Sequence, residues 1–184
     1  MEISYGLLVA MMYVMILSMG IGSLLGGVAG VVNKRTEEST DNLLASWMVL
    51  LLLVYFNLFW HTLDLLAIAD WGFRDFLYVI AGPILIFFAT TVLLPDGPSA
   101  ARSHYFAVSR RFFALLALLQ LWILGSDFVL GKGVTVPAAF NALFFCALVV
   151  LAKTRDPRFH AVGNGLAWMA FLIVVTLRGF GVMG

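Results

Sequence analysis

Residues 54–71 read VYFNLFWHTLDLLAIADW, and this stretch decides the fold. It lies within an apolar run that opens at residue 43, and it closes on the acid Asp70. Read as a helix, it places Asn57, His61 and Asp64 at i, i+4 and i+7, on one face. Polar groups on a helix in hydrocarbon are costly, so a face of three calls for a partner or a function. Trp60 and Trp71 flank His61 and Asp64, as tryptophans do at a membrane–water boundary. Two readings follow: a pathway for a proton, a cation or a small polar solute, or side chains that simply sit wet at headgroup depth.

The rest of the chain supports a lipid setting for this stretch. Of 184 residues, 62% are hydrophobic and 11% charged, against about 45–50% and about 25% in soluble domains. The net charge of +1 argues against a nucleic-acid partner. Cys146 is the only cysteine, which excludes an internal disulfide and a cysteine metal site. The start, MEISYGLLVA, carries an acid where a signal peptide wants basic residues, so the first helix is read as retained.

A span needs about 20 apolar residues. Six stretches qualify, at 5–32, 43–69, 76–94, 105–130, 134–152 and 161–182, which predicts one all-α transmembrane bundle of about six spans. Pro137 falls in the first turn of the fifth, where its missing N–H has no helical partner. Lys34, Arg35, Arg102, Arg110, Arg111, Lys153, Arg155 and Arg158 fall on the side of the odd-numbered loops. Only Arg74, Lys132 and Arg178 fall on the other. The positive-inside rule then makes the odd loops cytoplasmic and puts both termini outside.

Within these spans several patterns carry expectations. Ser18, Gly22, Gly26 and Gly30 form a ladder at every fourth position. Small residues let backbones approach closely, and the ladder is expected to pack within the chain, or else against a second copy. Gly82-Pro83 stands mid-span, where proline removes one backbone bond and should leave the carbonyl of Val79 without its usual partner, giving a kink or hinge. Gln120 and Asp127 share a face of the fourth span, with Asp127 at the depth of Asp64, as companions for the first polar face. Segments 73–94 and 157–178 align without gaps, which predicts two three-helix repeats. His104 and His160 open outward-running spans and stand as paired axial ligands for a haem, against the plainer reading of contact with water or lipid phosphate.

GPILIFFATTVLLPD and SHYFAVSRRFF resemble segments of small bacterial inner-membrane proteins of about six spans. The resemblance covers the middle third and implies a bacterial plasma-membrane address. It implies no reaction, ligand or catalytic residue.

No HExxH, GxSxG, Walker loop or dinucleotide fingerprint is present, and no metal site is expected. The sequence favours a small transporter or channel for a proton, cation or small polar solute. The alternative is a non-catalytic subunit that packs within a larger membrane complex, in contact with pigment, quinone or lipid; on either reading the partners are the lipid bilayer and a second copy or a larger complex. A lipid-acting enzyme ranks third, with His61 and Asp64 as its only candidate pair.

Overall fold

The computed structural model describes residues 5–33, 42–68, 70–95, 101–129 and 138–179. They form six α-helices: α1 (Tyr5–Asn33), α2 (Asn42–Trp60), α3 (Phe73–Leu93), α4 (Ala101–Val129), α5 (Ala138–Lys153) and α6 (Pro157–Gly179). A 3-10 helix (His61–Ala67) follows α2 directly, and the described residues contain no strand. Among the described residues five helices are long and apolar enough to cross a membrane, and the 16 described residues of α5 reach about 24 Å at 1.5 Å per residue against a hydrocarbon core of about 30 Å.

Helix ends differ from those read in the sequence at four places, the fourth helix being formed already at Ala101 rather than at 105. The second helix leaves α geometry at Trp60 rather than running to residue 69. There the Thr62 hydroxyl donates to the Leu58 carbonyl (3.4 Å). The sixth helix starts at Pro157, not 161. Asp156 Oδ1 accepts from the Arg158 N–H at 2.9 Å, so Asp-Pro acts as an N-cap followed by a first-turn proline. The third helix begins at Phe73, where Asp75 Oδ2 accepts from the Gly72 N–H at 3.3 Å. It stops at Leu93, just before Pro95. The expected first turn around Pro137 lies outside the described residues.

The core is built around α1, α2 and α3, with α4 against α3 and α5 against α4. Val9, Tyr13, Leu17, Gly20 and Leu24 form the inner stripe of α1, all but Gly20 apolar core side chains. At Gly20 a side chain of α2 fills the place of the missing Cβ: a Cβ there would collide with the Tyr55 ring. Tyr55 is fully buried, and its O–H donates to Thr90 Oγ1 (3.1 Å), because the Thr90 proton is already given to the Ile86 carbonyl (2.9 Å). This Gly20–Tyr55–Thr90 contact joins three helices through one small residue and one polar relay.

The helix α6 is the least enclosed span and packs on α2 and α5. The predicted three-helix repeat is not reproduced in the packing. The backbones of α1 and α3 lie close together, whereas those of their counterparts α4 and α6 do not; Tyr105 and His160 meet across that gap through side chains alone.

Candidate functional site

The residues expected to form one polar pathway fall into separate places. His61 Nδ1–H donates to Asp64 Oδ2 at 3.1 Å, within the 3-10 helix. Because 3-10 geometry stacks residues three apart, the two side chains stay in register even though the α-helix has ended. They are 34% and 57% exposed, at the end of the bundle where α2 closes and α3 opens. Asn57, half-buried on α2, makes no hydrogen bond with another described residue.

Gln120 does not join them. It is buried, and its Nε2 donates to Asn141 Oδ1 of α5 at 2.7 Å. Two amides that close on each other between helices are a structural clasp in apolar surroundings. The side chain of Asp127 lies outside the described residues, as does that of Arg178.

The small-residue ladder faces outward. Ser18, Gly22, Gly26 and Gly30 are exposed, and a Cβ on any of the three glycines would meet nothing within 4 Å. The close packing expected of them within the chain is made instead by Gly20 against Tyr55 and Gly27 against Leu94. The interval of four was legible in the sequence, but its face was not. A helix with apolar or small residues all round does not reveal which side meets the bundle.

Gly82 and Pro83 are buried in a locked contact. The absent Cβ of Gly82 admits the Trp122 ring, whose atoms would lie 2.5 to 2.8 Å from it. Trp122 Nε1–H donates to the Tyr78 carbonyl (2.6 Å), and the Tyr78 hydroxyl donates to the Trp122 carbonyl. Proline was expected to free the carbonyl of Val79; the acceptor that gains a side-chain donor is its neighbour, Tyr78.

The histidines considered as haem ligands serve as ties between helices. His104 Nε2–H donates to the Leu93 carbonyl at 3.2 Å, fastening the start of α4 to the end of α3. His160 is fully buried among Tyr105, Phe106 and Phe113. Its Nε2 lies 2.9 Å from the Thr154 carbonyl, which can only accept, so Nε2 carries the proton. In the neutral imidazole Nδ1 then accepts from the Tyr105 hydroxyl at 2.9 Å. Both ring nitrogens are engaged in hydrogen bonds. Among the described residues no three His, Cys, Asp or Glu side chains assemble around a point that could hold a metal ion.

The polar residues that the structure does gather lie at the other end, around the starts of α2, α4 and α6. Trp168 Nε1–H donates to Ser46 Oγ (2.9 Å), and Ser46 donates to Asn164 Oδ1 (2.7 Å). The chain of bonds ends at Asn164 Nδ2, which is buried and has no hydrogen-bond partner among the described residues. Asn164, Ser46, Phe106 and Ala161 line a cavity of about 430 Å³. A second cleft of about 550 Å³ opens between α4 and the α5–α6 turn, lined by Arg110, Arg111, Lys153, Arg155, Ser109 and Thr154 among others. Sequence reading missed Ser46, Asn141 and Trp168, and it passed over Asn164. The one signal was Asn164 and Trp168 at i and i+4 on α6.

These features define a helical membrane protein whose buried polar groups chiefly join helices. No family model, curated protein or solved structure matches the chain.

Proposed function

We propose that the protein is a non-catalytic membrane subunit that works by associating through the outer face of α1, with a second copy or within a larger complex. One observation carries this reading: Gly22, Gly26 and Gly30 stand on an exposed face with open space beside each. The rest of that face suits a partner helix. The Ser18 hydroxyl is turned back to the Val14 carbonyl (2.8 Å) and the Ser23 hydroxyl to that of Met19 (3.0 Å), so neither projects as a free donor. Exposed Met11, Met15 and Met19 are flexible and adapt to an opposing surface.

The test is light scattering of the full chain in mild detergent, with Gly22→Leu/Gly26→Leu as the variant. Wild type is expected to run as an oligomer or with a companion chain. The variant is expected to run as a folded monomer, since its new side chains point away from the bundle. A wild-type protein that is a bare monomer at every concentration overturns the reading.

A second reading is transport of a proton, cation or small polar solute, supported by the His61–Asp64 contact at an accessible end of the bundle. Reconstituted vesicles test it. Asp64→Asn is expected to abolish proton or cation flux while the protein still folds, and equal flux from variant and wild type would end it.

For either reading we propose the bacterial plasma membrane, six crossings with α5 as a short sixth, odd-numbered loops cytoplasmic and both termini outside. The eight-to-three split of basic residues supports this orientation.

A further inference from the structure

The cleft between α4 and the α5–α6 turn collects four cations. Arg110 and Arg111 come from α4, Lys153 ends α5, and Arg155 lies in the three-residue turn before α6. All four are exposed, and none is ion-paired with another described residue. The nearest carboxylate in sequence, Asp156, caps α6 through the Arg158 N–H. Four like charges around one cleft give it a positive field that attracts an anion. Ser109 and Thr154 add polar groups to the wall, while Phe106, Ala107 and Ala152 supply an apolar side. At about 550 Å³ the cleft falls in the roughly 300–1,000 Å³ range of pockets that take a whole small molecule.

Two stripes lead away from these cations along the outside of the bundle. On α4, Arg111 is followed by exposed Ala114, Leu118 and Leu121, at steps of three and four. On α5, Lys153 is preceded by exposed Val150, Cys146 and Leu143 at the same steps. The two helices pack on each other and run in opposite directions, so both stripes extend from the cationic end toward the middle of the bundle. A ligand that fits the cleft and both stripes has an anionic head and two apolar tails.

We propose that this cleft binds the phosphate headgroup of an anionic phospholipid, with its acyl chains along the α4 and α5 stripes. Basic pockets between helix ends at a membrane face recognise such headgroups. The site is independent of the α1 face.

Native mass spectrometry of the full chain tests the proposal. The protein in neutral detergent is titrated separately with phosphatidylglycerol, cardiolipin, phosphatidylcholine and inorganic phosphate. Each anionic lipid is expected to give a one-to-one adduct at concentrations where phosphatidylcholine gives none, and inorganic phosphate should neither bind nor displace it. Neutralising Arg110, Arg111, Lys153 and Arg155 to Gln should weaken the adduct by about fivefold per charge removed. Arg74→Gln, at the opposite end, should leave it unchanged. If the fourfold variant does not fold, Arg111→Gln/Lys153→Gln carries the same comparison, and the wild-type lipid selectivity is read without any variant. Equal adducts of phosphatidylcholine and phosphatidylglycerol overturn the proposal. So does displacement by inorganic phosphate, which would make this a free-anion site. A chain dimer that covers the stripes and takes no lipid would assign the surface to a second copy and overturn it as well.

Discussion

Gly20→Ala is expected to destabilise the protein by about 1–3 kcal/mol, the range of overpacking in a filled core, and Gly20→Leu is expected to prevent folding. Two effects oppose each other at this position. Alanine favours a helix over glycine by about 1 kcal/mol, but the added Cβ would occupy the place of the Tyr55 ring. Tyr55 is fully buried, so it has no free space to retreat into, and any shift strains its bond to Thr90. The collision therefore outweighs the propensity. Gly22→Ala, two positions on, meets nothing and should leave the isolated chain as stable or slightly more so. Melting of the two variants in detergent, followed by tryptophan fluorescence, separates them. Equal melting temperatures for Gly20→Ala and Gly22→Ala would refute this placement of α1.

His160→Leu is expected to cost at least about 1–3 kcal/mol, from the Thr154 carbonyl left without its donor. Leucine removes the donor to the Thr154 carbonyl and the acceptor of the Tyr105 hydroxyl at once. It also leaves a gap against Phe106 and Phe113, whose rings pack on the imidazole. Tyr105→Phe removes one of these bonds and should cost less. Because the two residues share a bond, the double variant is expected to be less destabilised than the sum of the singles. Denaturation of the four proteins under one condition supplies the cycle. Strict additivity would mean that the Tyr105–His160 bond contributes no coupling energy. Full stability in His160→Leu would contradict the role of His160 in holding the α5–α6 turn to α4.

The same two sites show where the sequence was sufficient and where it was not. That His160 is a tie between helices could not be read from HAVGN, because Tyr105 stands 55 positions away and Thr154 contributes only its carbonyl. The loop histidines looked equivalent, yet one is fully enclosed and the other is half-buried with a single backbone partner. Gln120 and Asp127 share a helical face by spacing, but Gln120 is committed to Asn141 on a different helix. The ladder of Ser18, Gly22, Gly26 and Gly30 announced close packing, and Gly20 and Gly27 perform it inside the chain.

The sequence by itself determined that the chain is an all-helical membrane protein, and it placed the long helices to within a few residues at most ends. These properties depend on summed hydropathy and on local punctuation such as Asp156-Pro157 and Pro95, which act along the chain. Tertiary structure alone decided which faces turn inward, which polar groups find each other and where the four cations converge. In an apolar chain nearly every helical face is acceptable to lipid, so the hydrophobic pattern that orients a soluble helix is missing. Orientation then depends on shape: a glycine beneath a tyrosine, a tryptophan over Gly82, an amide reaching an amide. Those fits exist only once the helices are side by side.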